Sequence, residues 1–188
     1  MMRRKDREMP SEWGKQVIDK AQFGVVSVVT QEGLPYTLPL SIVRDGDTLY
    51  FHSARDGRKV EVYCDGMPVQ AVFVGDVKVP ELYSAEELEE MRGDNARALE
   101  LTHRVFTTEY ESAIVQGRIF EVTTDQEREH AFRLICQKFT PDKMALFSSA
   151  YKSGGSKTRV YAINIDTITA KRKRYDSSGE EMKFGRLE

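Results

Sequence analysis

Three short segments of β-forming residues lie close together near the N-terminus. They cover residues 23–30, 36–43 and 48–52, and the turn-forming glycines Gly33 and Gly46 lie in the two connections between them. Two parallel strands need a crossover of about a dozen residues or more, and these connections are far shorter. The three segments are therefore predicted to be antiparallel neighbours in one sheet.

Further strands are predicted along the rest of the chain, where apolar residues alternate or form short runs. These strands cover residues 67–79, 107–122, 160–165 and 168–171. Helices are predicted to begin near Ser11, Ser84 and Thr124, because each residue starts a segment with helical spacing or a capping box. Many short strands with few helices predict a mainly β fold, a closed or half-closed antiparallel barrel that carries peripheral helices.

Length and composition are those of one globular domain. The chain has 188 residues, of which 40% are hydrophobic and 31% charged, and its net charge of -2 argues against bulk binding of nucleic acid or of a membrane surface. We expect a single domain over residues 1–188, with a charged lead at 1–10, a loop at 148–157 and a loose polar tail at 175–188. The lead lacks the apolar stretch of a signal peptide, and no apolar run could span a bilayer, so a cytoplasmic location is predicted.

The two cysteines, two of the histidines and a basic run are interpreted as structural or surface residues rather than as parts of a site. Cys64 and Cys136 lie in segments of helical character and match no zinc or redox spacing, so both are predicted to be buried free thiols. His103 and His130 are expected at the surface, and the histidines and cysteines together share no metal-ligand spacing. The basic residues 171–174 end a predicted strand without interleaved aromatic residues, which favours a charged sheet edge over a nucleic-acid site.

One stretch has the features of an anion-binding turn. Residues 49–63 begin as a β run, pass through a small polar turn that holds His52 and Ser53, and continue into a helical segment headed by Gly57, Arg58 and Lys59. A helix start offers unpaired backbone N–H groups, and the hydroxyl, guanidinium and ammonium groups suit an anion such as phosphate. The glycine pattern matches neither a Walker loop nor G-x-G-x-x-G. A solvated basic turn is the alternative interpretation.

The order of the predicted helices, strands and motifs can be compared with that of known families over nearly the whole chain. A helix and a β-meander precede a first motif, and a further strand separates it from a second. The motifs are Tyr50-Phe51-His52-Ser53-Ala54-x-x-Gly57-Arg58-Lys59 and Thr107-x-x-Tyr110-x-Ser112-x-Ile114-x-x-Gly117-Arg118. This order resembles the FMN-binding split β-barrel superfamily, often called pyridoxamine-phosphate-oxidase-like, and is most similar to its branch of Nim nitroimidazole-resistance proteins.

The resemblance implies a homodimer that binds two FMN molecules in clefts between its subunits, with residues of both chains at each flavin. His52 and Ser53 would line the flavin and its phosphate turn, and Arg58 with Lys59 would hold the phosphate.

The resemblance also assigns two strands to the flavin. The residues along the isoalloxazine ring, with backbone groups able to hydrogen-bond its edge, would be Thr37, Leu38, Pro39 and Leu40. Tyr110 and Ser112 would border the cofactor pocket, from the same or from the partner subunit.

The function implied by the resemblance is an FMN-dependent oxidoreductase that moves electrons or hydride from a nicotinamide donor to a small aromatic or nitro compound. His52 is the candidate catalytic residue because imidazole titrates near neutral pH, and a histidine that only hydrogen-bonds the turn is the alternative. Two other functions stay open: a flavin-binding carrier or sensor without turnover, and a haem-binding split barrel with His52 as a ligand. The tail lacks the arginine and histidine cluster of true pyridoxamine-phosphate oxidases, so vitamin B6 oxidation is not expected.

Overall fold

The computed structural model describes residues 2–187, apart from the side chain of Ala98. Met1 and Glu188, the ends of the predicted lead and tail, lie outside this range. Within it, antiparallel pairings form one sheet of eight strands: β1 Glu8–Met9, β2 Gly24–Val29, β3 Pro35–Leu40, β4 Val43–Asp45, β5 Thr48–Ala54, β6 Met67–Lys78, β7 Glu109–Glu121 and β8 Thr158–Lys173. The α-helices are α1 Ser11–Lys20, α2 Arg58–Val62, α3 Ala85–Glu90, α4 Ala98–Glu100, α5 Asp125–Phe139 and α6 Phe147–Gly154.

A two-residue connection joins the two ends of the sheet. Its strand order is β3-β2-β6-β7-β8-β5-β4, with β1 added beside β8. The strands β3 and β4 are at opposite ends of this order, yet only Ser41 and Ile42 separate Leu40 from Val43. This short link joins the two ends of the sheet, but β3 and β4 do not pair with each other. The fold is thus the predicted antiparallel barrel in its half-closed form, with peripheral helices. The single strand predicted over residues 36–43 is wrong, because buried Ile42 turns inward and divides it.

The barrel interior is filled by side chains of alternate strand positions. Phe51, Phe73 and Leu49 are fully buried there. Helix α1 adds Val17 and Ile18 to the same core, as its helical spacing predicts.

Helix α5 covers a second apolar face, outside the barrel. Ala131 and Ile135 are its buried residues, and they pack with Val43 of β4 and with Val160 of β8. The side chain of Thr124 accepts a hydrogen bond from the backbone N–H of Glu127, which caps the first turn as the sequence pattern predicts.

The loop predicted over residues 148–157 is wrong. This segment forms α6 and a short 3-10 turn, Gly155–Lys157. Phe147 and Tyr151 are one helical turn apart with ring centroids separated by 5.8 Å, and Tyr151 also meets Phe132 of α5 at 5.8 Å. These aromatic contacts outweigh the weak helix preference of the serines and glycines around them.

The basic residues 171–174 do not form a charged sheet edge. They lie at the end of β8, a strand that pairs with β7 on one side and with β1 and β5 on the other. Arg172 and Lys173 are buried, and acidic residues of β7 lie directly alongside, since Glu111 pairs with Arg172 across the sheet. Opposite charges on the neighbouring strand explain why a basic run is tolerated inside the sheet.

The C-terminal tail, predicted to be loose, returns to the barrel instead. Tyr175 and Glu181 form a β-bridge, and Met182 is buried. The Nε of Arg7, in the N-terminal lead, donates a hydrogen bond to Glu181 Oε1 at 2.5 Å. Ion pairs and one apolar contact thus hold this polar segment, and neither gives a strong pattern in a sequence.

The two cysteines differ in their surroundings. Both are free thiols, as predicted. Cys136 is half-buried in α5, whereas Cys64 is exposed and follows the end of α2, so the prediction of a buried helical residue is wrong for Cys64. His103 and His130 are exposed, as expected.

Candidate functional site

The predicted anion-binding turn connects β5 to α2. Strand β5 continues to Ala54, so His52 and Ser53 lie within the strand rather than in the turn. Gly57 has a φ of 93°, a left-handed conformation that glycine adopts without strain, and it directs the chain into α2. With five residues, α2 is too short to have a substantial dipole, so the positive character of the turn must come from side chains.

Three cations surround this turn: Arg55, Arg58 and Lys59. Within residues 2–187, none of the three forms an ion pair with a carboxylate. The guanidinium carbon of Arg58 lies 5.5 Å from the ring centroid of Tyr36 in β3, so Arg58 extends towards that strand. Lys59 extends towards His52, whose pKa its charge helps to lower. Carboxylates are also nearby, since Asp56 lies in the turn, Glu61 lies in α2, and Glu32 is within electrostatic range of Arg58. In the described range, however, the three cations are not held in direct ion pairs, so their side chains are available to a phosphate.

His52 and Ser53 occupy opposite faces of β5, because side chains alternate along a strand. Ser53 is 2% exposed, and its Oγ has no hydrogen-bond partner in the described structure. His52 is on the outer face, with its ring centroid 5.6 Å from that of Phe132 in α5. Desolvation, together with the nearby charge of Lys59, lowers the pKa of His52, so the imidazole is neutral at neutral pH.

The four predicted flavin-ring residues of β3 do not share one face. Thr37 and Pro39 are exposed on the outside, whereas Leu38 is half-buried and Leu40 is buried. Thr37 Oγ1 lies 2.9 Å from Ser27 Oγ in β2. Among the described residues β3 pairs with one strand only, so the N–H and C=O groups of its other edge have no strand partner. This edge retains the backbone groups that the flavin prediction requires.

Tyr110 and Ser112 lie far from the turn in the same chain. Ser112 pairs with Lys171 of β8, whereas His52 pairs with Val160 near the other end of that strand. At about 3.3 Å per residue, the two positions on β8 are roughly 35 Å apart along the strand. One chain therefore does not bring the two predicted motifs together.

Ser112 borders a depression of about 470 Å³. It is shared with Gln70, Gln116 and the N-terminal residue Arg3. Tyr110 lies next to the N-terminal lead, where its phenol interacts electrostatically with Arg4 and Arg7. Both β7 residues thus face surroundings different from those of His52.

Two groups of site residues were not identified from the sequence. The first is Arg55, the third cation of the turn, which could have been found from its place two residues before Gly57. The second is a tyrosine cluster beside the turn: the ring centroid of Tyr63 lies 5.4 Å from that of Tyr161 and 6.2 Å from that of Tyr36. The Tyr63 hydroxyl is buried and has no hydrogen-bond partner between residues 2 and 187, and desolvation raises its pKa.

Neither a metal centre nor a membrane-spanning helix is found in the described part of the chain. Over residues 2–187, no three His, Cys, Asp or Glu side chains are placed to hold a metal ion together. Likewise, none of the helices in that range has the length and apolar character needed to cross a bilayer.

Solved structures share this fold. A candidate 5-nitroimidazole antibiotic resistance protein from Bacteroides thetaiotaomicron is 21% identical, with 87% of this chain and 84% of that chain covered and a TM-score of 0.64. The FAD and haem binding protein from Mycobacterium smegmatis is 19% identical, with coverages of 89% and 73% and a TM-score of 0.66. The flavocytochrome Anf3 from Azotobacter vinelandii is 14% identical, with coverages of 93% and 78% and a TM-score of 0.64. At these identities the likeness concerns the fold.

The sequence itself supports a family assignment. No curated protein matches the chain. Residues 15–172 match the family described as pyridoxamine 5'-phosphate oxidase, and this range holds the barrel, the β5–α2 turn and α6. The chain therefore belongs to the pyridoxamine 5'-phosphate oxidase family, whose split-barrel fold it shares with flavin-binding proteins.

Proposed function

We propose that the protein binds FMN, with the phosphate at the β5–α2 turn. The observation that carries this proposal is a group of three cations around Gly57 that form no direct ion pair in the described range: Arg55, Arg58 and Lys59. Charged hydrogen bonds to phosphate are among the strongest that side chains make. The unpaired edge of β3 is close by, since Arg58 packs over Tyr36 of that strand, and its backbone groups suit the polar edge of a flavin ring.

The second part of the proposal is a homodimer in which each flavin contacts both chains. Measured along β8 at about 3.3 Å per residue, Ser112 lies roughly 35 Å and Tyr110 roughly 43 Å from His52, so only a second copy could place them at the same cofactor. The outer face of the barrel also exposes apolar side chains on two paired strands, with Val25 of β2 at 38% and Val74 of β6 at 53%. An apolar sheet face of this kind is suited to a partner surface.

The reaction we propose is electron or hydride transfer from a nicotinamide donor to a small aromatic or nitro compound. Bound FMN would supply the redox chemistry, and the protein would supply position and electrostatics. Arg58 and Lys59 would fix the phosphate, and the neutral His52 imidazole could donate or accept one hydrogen bond beside the reacting molecule.

Vitamin B6 oxidation is not part of the proposal. The arginines near the C-terminus are already engaged, so they are not free to bind a substrate phosphate. Arg172 donates to the backbone carbonyl of Arg186, and the Arg186 guanidinium pairs with Asp176. Arg174 Nη1 lies 3.7 Å from Glu111 Oε1, so this guanidinium also has an acidic partner.

An absorption spectrum of protein purified without added flavin tests the proposed cofactor. A flavin spectrum is expected, and a haem band in its place would favour the haem-binding alternative. Under anaerobic conditions, NAD(P)H should bleach the flavin, and a nitroimidazole should restore its colour. A flavin that no nicotinamide reduces would instead indicate a carrier or sensor without turnover.

A further inference from the structure

We propose that a second pocket, between α5, α6 and the outer face of β5, binds a flat aromatic acid. Its volume is about 410 Å³, which is within the range of small-molecule sites. The residues that define it are His52, Phe132, Cys136, Lys143, Phe147 and Tyr151. Apart from His52, none of them belongs to the proposed flavin site.

One wall of the pocket is aromatic. Phe132 lies between His52 and Tyr151, with ring centroids at 5.6 Å and 5.8 Å, and Phe147 stacks on Tyr151 with an interplanar angle of 14°. These rings contact one another and form one continuous aromatic wall. Such a wall favours a flat aromatic ligand, because aromatic groups pack best in stacked or edge-to-face arrangements.

Hydrogen bonds hold this wall in place before any ligand binds. The guanidinium of Arg128 in α5 donates to the carbonyl oxygens of Gly155 and Thr158, each at 2.7 Å, and so ties α5 to the end of α6. The Tyr151 hydroxyl donates to the Asp125 carbonyl at 3.3 Å. Gly155 is required below Tyr151, since a Cβ there would lie 2.5 Å from the ring. The pocket is therefore largely preformed, as ligand sites usually are.

The polar groups of the pocket select an acid. Lys143 is exposed on the pocket lining, and over residues 2–187 it forms no ion pair. His52 has no hydrogen-bond partner in the same described range, so its imidazole is free to bond to a ligand oxygen. The remaining lining is aromatic, aliphatic or small, with two threonine hydroxyls. One cation and one imidazole in such a cavity suit an aromatic ring system that carries a single carboxylate.

The two free cysteines allow a direct test, because Cys136 lines the pocket and Cys64 is exposed elsewhere. The full-length protein is alkylated with N-ethylmaleimide in the presence of 2-naphthoate, and the rate at each thiol is followed by mass spectrometry. We expect at least a fivefold slower reaction at Cys136 and an unchanged rate at Cys64. Calorimetric titration of 2-naphthoate measures the same binding without the thiol.

Two variants and a neutral ligand separate the contributions. Lys143→Gln should weaken 2-naphthoate binding by about three- to tenfold and leave binding of uncharged 2-naphthamide unchanged. Ala150→Trp should fill the pocket from α6 and abolish binding of both compounds, with circular dichroism as the folding control.

Several results would overturn the proposal. These are no heat of binding and no protection of Cys136, equal affinities for the acid and the amide, or binding that survives Ala150→Trp in a folded protein. The titration uses both flavin-free and FMN-loaded protein, so a failure to bind FMN leaves this test intact. Competition between FMN and 2-naphthoate would show that the pocket is part of the flavin site, and would contradict a second site.

Discussion

His52 and Ser53 are neighbours in β5, yet their side chains face opposite sides of the sheet. The Ser53 hydroxyl is buried and unpartnered in the described structure, whereas the His52 ring faces α5 and the aromatic pocket. One strand thus contributes to two different environments. The sequence predicts one polar turn that holds both residues. In the structure both lie in a strand, where successive side chains point to opposite faces.

The isolated Ser53 hydroxyl leads to a prediction about stability. A buried hydroxyl without a hydrogen bond costs about 1–3 kcal/mol, so Ser53→Ala should raise the free energy of unfolding of flavin-free protein by about 1 kcal/mol. Urea denaturation measures the change. Ser27→Ala is the matched control: it removes a hydroxyl that is 2.9 Å from Thr37 Oγ1, and it should not stabilise the protein. Destabilisation by Ser53→Ala would mean that the hydroxyl has a partner in the flavin-free protein.

Gly117 is predicted to be indispensable for the pairing of β7 with β8. A Cβ at this position would lie 2.2 Å from the backbone carbonyl oxygen of Asn164, at the point where the register of the two strands shifts. Gly117→Ala should therefore destabilise the fold by about 3 kcal/mol, the cost of forcing extra atoms into a packed site. Gly154→Ala is the control, since a Cβ there meets nothing within 4 Å. Equal melting temperatures for the two variants would contradict the close approach of the strands.

The proposed dimer predicts that a charge on the outer sheet face will separate the subunits. Val74 is 53% exposed on β6, and Val74→Glu should shift the protein to a monomer, because a buried unpaired carboxylate disfavours the interface. Light scattering after size-exclusion chromatography measures the mass. Leu99→Glu is the control: it alters another exposed apolar residue, 68% exposed in α4, and should leave the dimer intact. A wild-type monomer would remove the proposed source of Tyr110 and Ser112 at the flavin.

The ion pair between Arg7 and Glu181 predicts a pH-dependent anchor for the tail. Burial opposes ionisation of Glu181, but the hydrogen bond and charge of Arg7 outweigh it and lower the pKa of the carboxyl. A lowered pKa stabilises the fold above the unfolded value of about 4.3, and this contribution is lost as the pH falls through the folded value.

A comparison of wild type with Glu181→Gln measures this anchor. At pH 7 the variant should be less stable by about 1–3 kcal/mol, with faster amide exchange in residues 175–187. The difference between the two proteins should shrink as the pH falls below about 4. A difference that stays constant from pH 7 to pH 3 would show that the Glu181 charge does not hold the tail.

The barrel could be predicted from the sequence because each strand has a strong local pattern of apolar residues. Short connections at Gly33 and Gly46 require antiparallel neighbours, and alternation marks the inward residues of each strand. The division at Ile42 was not predictable, because residues 36–43 form one continuous β pattern in sequence. The chain turns at Ile42 because β3 and β4 belong to opposite ends of the sheet, which the local pattern does not show.

The rest of the fold depends on contacts between distant segments. Residues 148–157 have the composition of a loop, and they become helical because two aromatic residues of α6 contact α5. Tyr151 packs against Phe132, and Phe147 lies under the guanidinium of Arg133. The tail is held by Arg7, which lies at the opposite end of the chain. The cations of the β5–α2 turn are neighbours in the sequence, so they were predictable as a local motif. The pocket beside them was not predictable, because it is formed by residues of distant segments.

The affinity for FMN tests the central claim most directly. Arg58→Ala combined with Lys59→Ala removes two of the three cations of the turn, and each charged hydrogen bond contributes about 1.5–3 kcal/mol, so binding should weaken roughly 100-fold or more. Arg92→Ala combined with Lys152→Ala removes two exposed cations elsewhere and should leave the affinity unchanged. Riboflavin, which lacks the phosphate, should bind all three proteins equally weakly. Titration calorimetry of flavin-free protein that gives the same FMN affinity for the wild type and the Arg58/Lys59 variant would contradict a phosphate site at this turn.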